Sequence, residues 1–173
     1  MNSFKLKFAL QYIIDVLVVG IICGILARLS VVVLANIFDA DGANVSYSLV
    51  IPSYVFGAIA VVIAVFITQN ALKKKDLDNY PLSSVKFYIV FAAIVTIINI
   101  AWGFLSFGST YNMCLDNAVD PVDVLFKVDY NKAEFERLVK VATRNAVIIG
   151  NAISAAITFL MVPVFAKRHD NIF

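Results

Sequence analysis

The chain has 173 residues, of which 61% are hydrophobic and only 15% are charged, and its mean hydropathy is +0.88. A soluble domain is about half apolar and about a quarter charged, so this composition excludes an ordinary soluble protein and leaves no length for a second, soluble domain. The formal net charge of +2 is carried by basic residues between apolar runs, which indicates membrane topology rather than nucleic-acid binding.

Four apolar runs predict four transmembrane helices, because about 20 residues of helix cross about 30 Å of hydrocarbon. In chain order we place the spans at about 8–30, 47–69, 87–107 and 146–166. The connections are external loops at 31–46 and 108–145 and a cytoplasmic loop at 70–86. The prediction is an all-α integral membrane four-helix bundle that forms a single domain over 1–173.

The second external loop carries a helical pattern at its end. Asn131 and Glu134 fit the N-cap and third position of a helix start. An apolar stripe at i, i+3, i+4 and i+7 follows, from Phe135 to Ala142. No proline or glycine stands at the join with the fourth span, so we predict one continuous helix that projects outward. The first apolar run is also longer than one crossing needs, and we expect its helix to project too.

The positions of lysine and arginine predict that both termini are cytoplasmic. One side of the membrane would hold Lys5, Lys7, the basic cluster 73–75, Lys86 and Lys167 with Arg168. The first external loop carries Asp39 and Asp41 and no basic residue after Arg28. The second external loop does carry basic residues, but they alternate with acidic ones along a long segment.

Asp15 and Arg28 are the charged residues of the first span. A carboxylate in the bilayer usually faces protein or water and marks a functional position. Asp15 is either a structural carboxylate near the cytoplasmic interface, with Gln11 as a hydrogen-bond partner, or a proton or ion site. Arg28 is thirteen residues further on, about 20 Å away along a straight helix, so the two cannot pair. Arg28 either extends to the outer headgroups, near Asp39 and Asp41, or is a buried functional residue.

Small and polar residues on the first and fourth spans predict helix packing. Gly20 and Gly24 form a GxxxG motif, which allows close approach of another helix, in this chain or in a neighbour. The fourth span carries a seam with alternating spacings of three and four, beside which Gly150 forms a small-xxx-small pair with Ser154. The seam consists of Arg144, Val147, Asn151, Ser154 and Thr158.

Two interpretations of this seam remain open. In the first, it faces the bundle centre, and Asn99 of the third span is its partner. In the second, Asn151 and Asn99 open a hydrophilic path or a ligand site, although Val147 would interrupt that path. Five aromatic residues near the ends of the runs predict interface anchors: Trp102, Tyr47, Tyr54, Tyr88 and Tyr111.

The residues needed for several chemistries are missing from the sequence. With His169 as the only histidine and two separated cysteines, Cys23 and Cys114, we expect neither a zinc site nor a disulfide. There is no phosphate-binding glycine loop and no base for a serine hydrolase triad. We therefore predict no catalytic residue, no metal and no cofactor.

In span number and length the chain resembles bacterial quinone-dependent thiol oxidases. Those enzymes require a cysteine pair in each external loop, whereas only Cys114 lies in an external loop here, and the sequence has no CxxC. Because thiolate attack on a disulfide needs the second sulfur, the resemblance does not extend to that activity. Tetraspanin-like and claudin-like proteins share the outline, but their loop cysteines are missing here as well.

The sequence therefore favours a non-catalytic multipass membrane protein that acts through helix and loop contacts. It would be an accessory subunit of a membrane complex or an immunity or exclusion protein. Its expected partners are the lipid bilayer and a membrane protein or further copies of this chain in a homo-oligomer, and no nucleic acid. The alternative is a small oligomeric transporter or channel that uses Asp15, Arg28 and the Asn151 seam. The compact loops without disulfides favour a bacterial inner membrane.

Overall fold

The computed structural model describes residues 3–37, 42–75, 85–118 and 132–168, and all of the regular structure in these segments is helical. Five α-helices and one short 3₁₀ helix follow one another in the chain. They are α1 (Ser3–Ile37), the 3₁₀ helix (Gly42–Asn44), α2 (Val45–Lys75), α3 (Val85–Leu105), α4 (Phe107–Ala118) and α5 (Lys132–Arg168). The predicted all-α class is confirmed. Four of the helices, α1, α2, α3 and α5, are long and apolar enough to cross a membrane.

The four long helices pack in the order α1, α2, α5, α3. α2 and α5 are in contact at the centre, α1 lies against α2, and α3 lies against α5. Among the described helices, α1 makes no close backbone approach to α3 or α5. Phe8 near the start of α1 and Val162 near the end of α5 belong to one buried cluster, so the start of α1 and the end of α5 lie at the same end of the bundle. We call this the inner end, and the opposite end, which carries α4, the outer end.

The face that α1 buries explains its packing on α2. Its buried residues include Tyr12, Val19, Cys23 and Ala27, which follow one another at spacings of seven, four and four. Such spacings are typical of antiparallel helices that cross at a shallow angle. Cys23 packs in one cluster with Ala60 of α2, and it is a free thiol, as is the buried Cys114.

The join between the predicted loop helix and the fourth span is continuous, as expected. α5 extends over 37 residues, about 55 Å at 1.5 Å per residue, and α1 over 35 residues, about 52 Å. Both exceed the roughly 30 Å hydrocarbon thickness of a bilayer. Pro52 lies seven residues after the start of α2 and Pro163 lies five residues before the end of α5, so each removes one backbone N–H donor from inside its helix. The proposed N-cap Asn131 lies outside the described residues.

The first part of the long external loop is helical, which the sequence analysis missed. α4 follows α3 after a single turn residue, Ser106, across which backbone hydrogen bonds continue from Ser106 N to Trp102 O (2.8 Å) and from Thr110 N to Ser106 O (2.9 Å). The residues of α4 that pack at the outer end recur at i, i+3, i+4 and i+7, namely Tyr111, Cys114, Leu115 and Ala118. This stripe is the sequence pattern from which the helix α4 could have been predicted.

An aromatic cluster closes the inner end between α1 and α3. The ring of Phe8, which is 1% exposed, meets the rings of Phe87 and Phe91 edge-on, with centroids 5.3 and 5.5 Å away. Tyr12 meets Phe91 in the same way at 4.8 Å. Tyr88 is buried in this cluster, so the prediction that it anchors the chain at the membrane interface was wrong.

Candidate ligand cavity between the outer halves of the helices

A cavity of about 430 Å³ lies between the outer halves of the four long helices. All five α-helices contribute to its lining. The lining residues are Val16 and Gly20 of α1, Leu49, Val50, Ser53, Tyr54, Gly57 and Val61 of α2, Asn99 and Trp102 of α3, Ser106 at the turn, Thr110 and Met113 of α4, and Ser154 of α5. No charged side chain belongs to this lining.

The packing order of the helices explains where the cavity opens. α2 and α5 form its floor, α1 forms one wall, and α3 with α4 forms the other. In the part of the chain that the structure describes, the backbones of α1 and α3 do not approach closely, so the cavity opens laterally between them. In a bilayer this opening would face lipid. Gly20 and Gly57 enlarge it, because a Cβ atom added at either glycine would meet nothing within 4 Å.

Three hydroxyl groups of the lining already donate to carbonyl groups of their own helices. Ser53 Oγ donates to Leu49 O (3.2 Å), and Ser106 Oγ donates to Trp102 O (2.7 Å). Thr110 Oγ1 donates to the carbonyl oxygen of Ser106 (3.0 Å). Such bonds are the usual way to satisfy a hydroxyl in a membrane helix, and they leave these oxygens only as acceptors.

Asn99 and Ser154 differ from these three residues. Ser154 is 3% exposed and Asn99 is half-buried, and both line the cavity. Neither side chain forms a hydrogen bond within residues 3–37, 42–75, 85–118 and 132–168. An amide and a hydroxyl in an apolar surrounding cost free energy when they are left without a partner. The two groups therefore give the cavity its unsatisfied donors and acceptors.

Tyr54 is inserted between α3 and α5 beside the cavity. A Cβ atom on Gly150 would lie 2.6 Å from Tyr54 Cδ2 and 3.1 Å from Tyr54 Cβ, and one on Gly103 would lie 2.6 Å from the Tyr54 hydroxyl. Tyr54 and Asn151 are neighbours, because the Tyr54 hydroxyl and Asn151 Nδ2 lie 2.6 and 2.9 Å from the position that a Cβ atom on Gly103 would take. Tyr54 thus packs inside the protein, and its assignment as an interface anchor was wrong. The two glycines are what allow the ring to fit.

The α5 seam mostly faces the bundle interior. Val147, Ser154 and Thr158 are buried, whereas Arg144 at its outer end is exposed. Asn151 Nδ2 donates to Val147 O of its own helix (3.0 Å), and Asn151 does not line the cavity. Asn99 and Asn151 therefore do not share one polar opening, and of the two only Asn99 reaches the cavity.

Asp15 forms a hydrogen-bonded contact between α1 and α2. Its Oδ2 accepts a bond from Thr68 Oγ1 at 2.7 Å, and its Oδ1 accepts one from Gln11 Nε2 at 3.0 Å, as the sequence predicted for Gln11. Thr68 is fully buried and Asp15 is half-buried. Thr68, the partner of Asp15 on α2, lies five residues before Lys73, where the lysine-rich end of α2 begins. Asp15 does not line the cavity. Asp15 is therefore hydrogen-bonded to α2 and to its own helix, an arrangement that fits the structural alternative without testing it.

Arg28 and the two glycines of the first span lie at or near the surface of the chain. Arg28 is exposed on the surface of the chain, its proposed partners Asp39 and Asp41 lie outside the described residues, and both alternatives for Arg28 stay predictions. Gly24 is exposed and Gly20 is half-buried, and neither has a neighbour within 4 Å of an added Cβ. The GxxxG face therefore makes no close helix contact with the described part of this chain.

Sequence reasoning missed several residues that shape this region. Tyr54 was assigned to the membrane interface, and Gly103 and Gly57 were not considered. The spacing of Tyr54 and Gly57 places both on neighbouring positions of one helix face, but no sequence signal connects Tyr54 with Gly103 and Gly150 across three helices. Within the described residues, no three histidine, cysteine, aspartate or glutamate side chains are grouped as metal ligands would be.

Comparison of this chain with protein-family models, with curated proteins and with solved structures gives no match.

Proposed function

We propose that this chain is a non-catalytic multipass membrane protein that acts by contact with another membrane protein, as an accessory subunit of a membrane complex or as an immunity or exclusion protein. The observation that carries the proposal is the open glycine face of α1. The backbone of α1 approaches only that of α2 among the described helices, and the surface around Gly20 and Gly24 leaves space for a helix to approach. A bacterial inner membrane with cytoplasmic termini fits the distribution of basic residues.

The exposed apolar surface of α1 adds support. Leu17, Ile21 and Ile25 are 63%, 68% and 57% exposed, so most of the helix circumference is available to lipid or protein. Lipid tails cover leucine and isoleucine as well as a protein does, so these residues alone would not favour a partner. Small residues differ, because van der Waals contact between two helix backbones improves on the contact that lipid makes with a glycine.

The transporter alternative has less support in this geometry. It needs Asp15, Arg28 and Asn151 along one path. Asp15 accepts hydrogen bonds from Thr68 and Gln11, Arg28 lies on an exposed surface, and Asn151 packs against Tyr54. None of the three lines the cavity.

The test is purification of the tagged full chain in mild detergent, followed by mass spectrometry of bound proteins and of the intact particle. The variant is Gly24→Leu, because Gly24 is open but outside the cavity lining. The matched control is Gly108→Leu on α4, where an added side chain also meets nothing within 4 Å. We expect a partner protein to remain with the parent and Gly108→Leu and to be lost from Gly24→Leu. A particle without any other protein would contradict the proposal, as would a partner retained by Gly24→Leu.

A further inference from the structure

We propose that the lateral cavity binds the head group of a neutral lipid with hydroxyl or carbonyl oxygens. Asn99 and Ser154 would be its hydrogen-bond partners, and its hydrocarbon chain would leave through the opening between α1 and α3. This inference is independent of the contact proposed for the Gly24 face, because Gly24 does not line the cavity.

The size of the cavity fits a small ligand better than a helix. A volume of about 430 Å³ is within the roughly 300–1,000 Å³ that small-molecule pockets occupy. A helix about 10 Å in diameter would fill the same volume with about one turn. The cavity therefore suits a compact head group whose chain continues into the bilayer.

The charge of the lining selects a neutral head group. None of its residues carries a charge, and its polar side-chain groups are an amide, hydroxyls and the indole N–H of Trp102. An anionic phosphate placed here would be buried without a cation, which costs several kcal/mol in a low-dielectric site. Uncharged hydroxyl and carbonyl oxygens match the groups that are present.

The lining side chains that do not already donate a hydrogen bond indicate where the head group would bind. Because Ser53, Ser106 and Thr110 already donate to helix carbonyls, the remaining donors include the Asn99 amide and the Ser154 hydroxyl, with the Tyr54 hydroxyl and the Trp102 indole N–H also in the lining. Asn99 precedes the end of α3 by six residues, about 9 Å along the helix axis. A lipid oxygen at this depth would have no water to bond with, so the Asn99 and Ser154 side chains would supply its hydrogen bonds.

Trp102 makes this site measurable, because it is the only tryptophan and lines the cavity. The full chain is reconstituted in phosphatidylcholine nanodiscs and titrated with a monoacylglycerol whose acyl chain is dibrominated, since bromine quenches tryptophan emission on contact. Dibrominated phosphatidylcholine at equal bromine content measures quenching from the bulk bilayer. We expect an additional, saturable quenching by the monoacylglycerol that unbrominated monoacylglycerol reverses.

Two kinds of variant test the site. Removing one hydrogen-bonding group, in Asn99→Leu or Ser154→Ala, should raise the half-saturating mole fraction about threefold to tenfold. Gly57→Leu should abolish the saturable component by filling the cavity, and a Cβ atom at Gly57 meets nothing within 4 Å. Gly108→Leu is the matched control and should leave the titration unchanged.

Several results would overturn the proposal. One is quenching that does not saturate and is equal for the two brominated lipids, and another is a saturable component that persists in Gly57→Leu. Competition by phosphatidylcholine as strong as that by monoacylglycerol would exclude selection of a neutral head group. A protein bound to the parent and released by Gly57→Leu would assign the cavity to a partner helix instead.

Discussion

The space between α1 and α3 is filled with side chains in the inner half of the bundle and open in the outer half. At the inner end, Phe8 and Tyr12 of α1 reach the ring of Phe91 on α3 and fill that space. In the outer half, Gly20 on α1 and Gly57 on α2 leave the space empty, and the cavity forms. Both halves are apolar, so the difference comes from side-chain size and not from hydropathy.

The rest of the outer half is closely packed. There the close contact is between α2, α3 and α5, where Tyr54 fits against Gly103 and Gly150. Glycines on α3 and α5 face a large ring, whereas those on α1 and on the cavity side of α2 face open space. Close packing in a membrane requires a small residue opposite a large one, because dispersion contacts replace the hydrophobic effect that drives packing in water.

The largest effect should come from removing the ring that closes the inner end. Phe8→Ala should lower the free energy of unfolding by about 3 kcal/mol, because it empties a site in contact with several aromatic rings. The measurement is a denaturant titration of the purified chain in mixed micelles. Leu10→Ala on the same helix is the control, since Leu10 is 57% exposed and Phe8 is 1% exposed. Equal losses for the two variants would show that the aromatic cluster does not hold α1 to α3.

The next largest effect should come from crowding Tyr54. Gly150→Ala should destabilise the protein by about 2 kcal/mol, because the added Cβ would lie 2.8 Å from Tyr54 Cγ and 3.1 Å from Tyr54 Cβ, and a rotamer change would move the ring but not Tyr54 Cβ. Gly108→Ala, with open space, should instead be neutral or slightly stabilising. The same titration measures both. If Gly150→Ala is as stable as the parent, Tyr54 does not occupy the position described here.

A smaller effect should come from the Asp15 contact at the inner half. Thr68→Val should cost about 1 kcal/mol, because it removes a hydrogen bond to a carboxylate that is only half-buried. Thr68→Ser keeps the hydroxyl and is the control. In a double-mutant cycle with Asp15→Asn, the two substitutions should be non-additive. Additive losses would mean that the two side chains do not interact.

The smallest effect on stability should come from a substitution in the cavity of the outer half. Gly57→Ala should raise stability by about 0.5 kcal/mol, because alanine favours a helix and its Cβ meets no neighbour. Gly103→Ala is the comparison, because its Cβ would meet the Tyr54 hydroxyl at 2.6 Å and Asn151 Nδ2 at 2.9 Å. We expect Gly103→Ala to be the less stable of the two in the same titration. A loss of stability in Gly57→Ala would indicate that the cavity is closed in the folded protein.

The sequence predicted the features that depend on local composition and periodicity. These are the four long apolar helices, the unbroken helix through Arg144 and Asn145, and the bond from Gln11 to Asp15 one turn away on the same helix. The position of α4 could also have been predicted from its stripe at Tyr111, Cys114 and Ala118. Each of these signals lies within one helix, where a period of 3.6 residues relates sequence to surface.

The tertiary structure alone decided which polar and small residues have partners. Asn151 and Asn99 are both single amides in apolar helices, yet one packs against Tyr54 and the other opens to a cavity. Gly24 and Gly150 are both in small-residue motifs, yet one faces open space and the other a tyrosine ring. The physical reason is that an apolar helix has no polar side to mark its orientation in a bilayer, so the fit between side chains of different helices determines which face meets which neighbour.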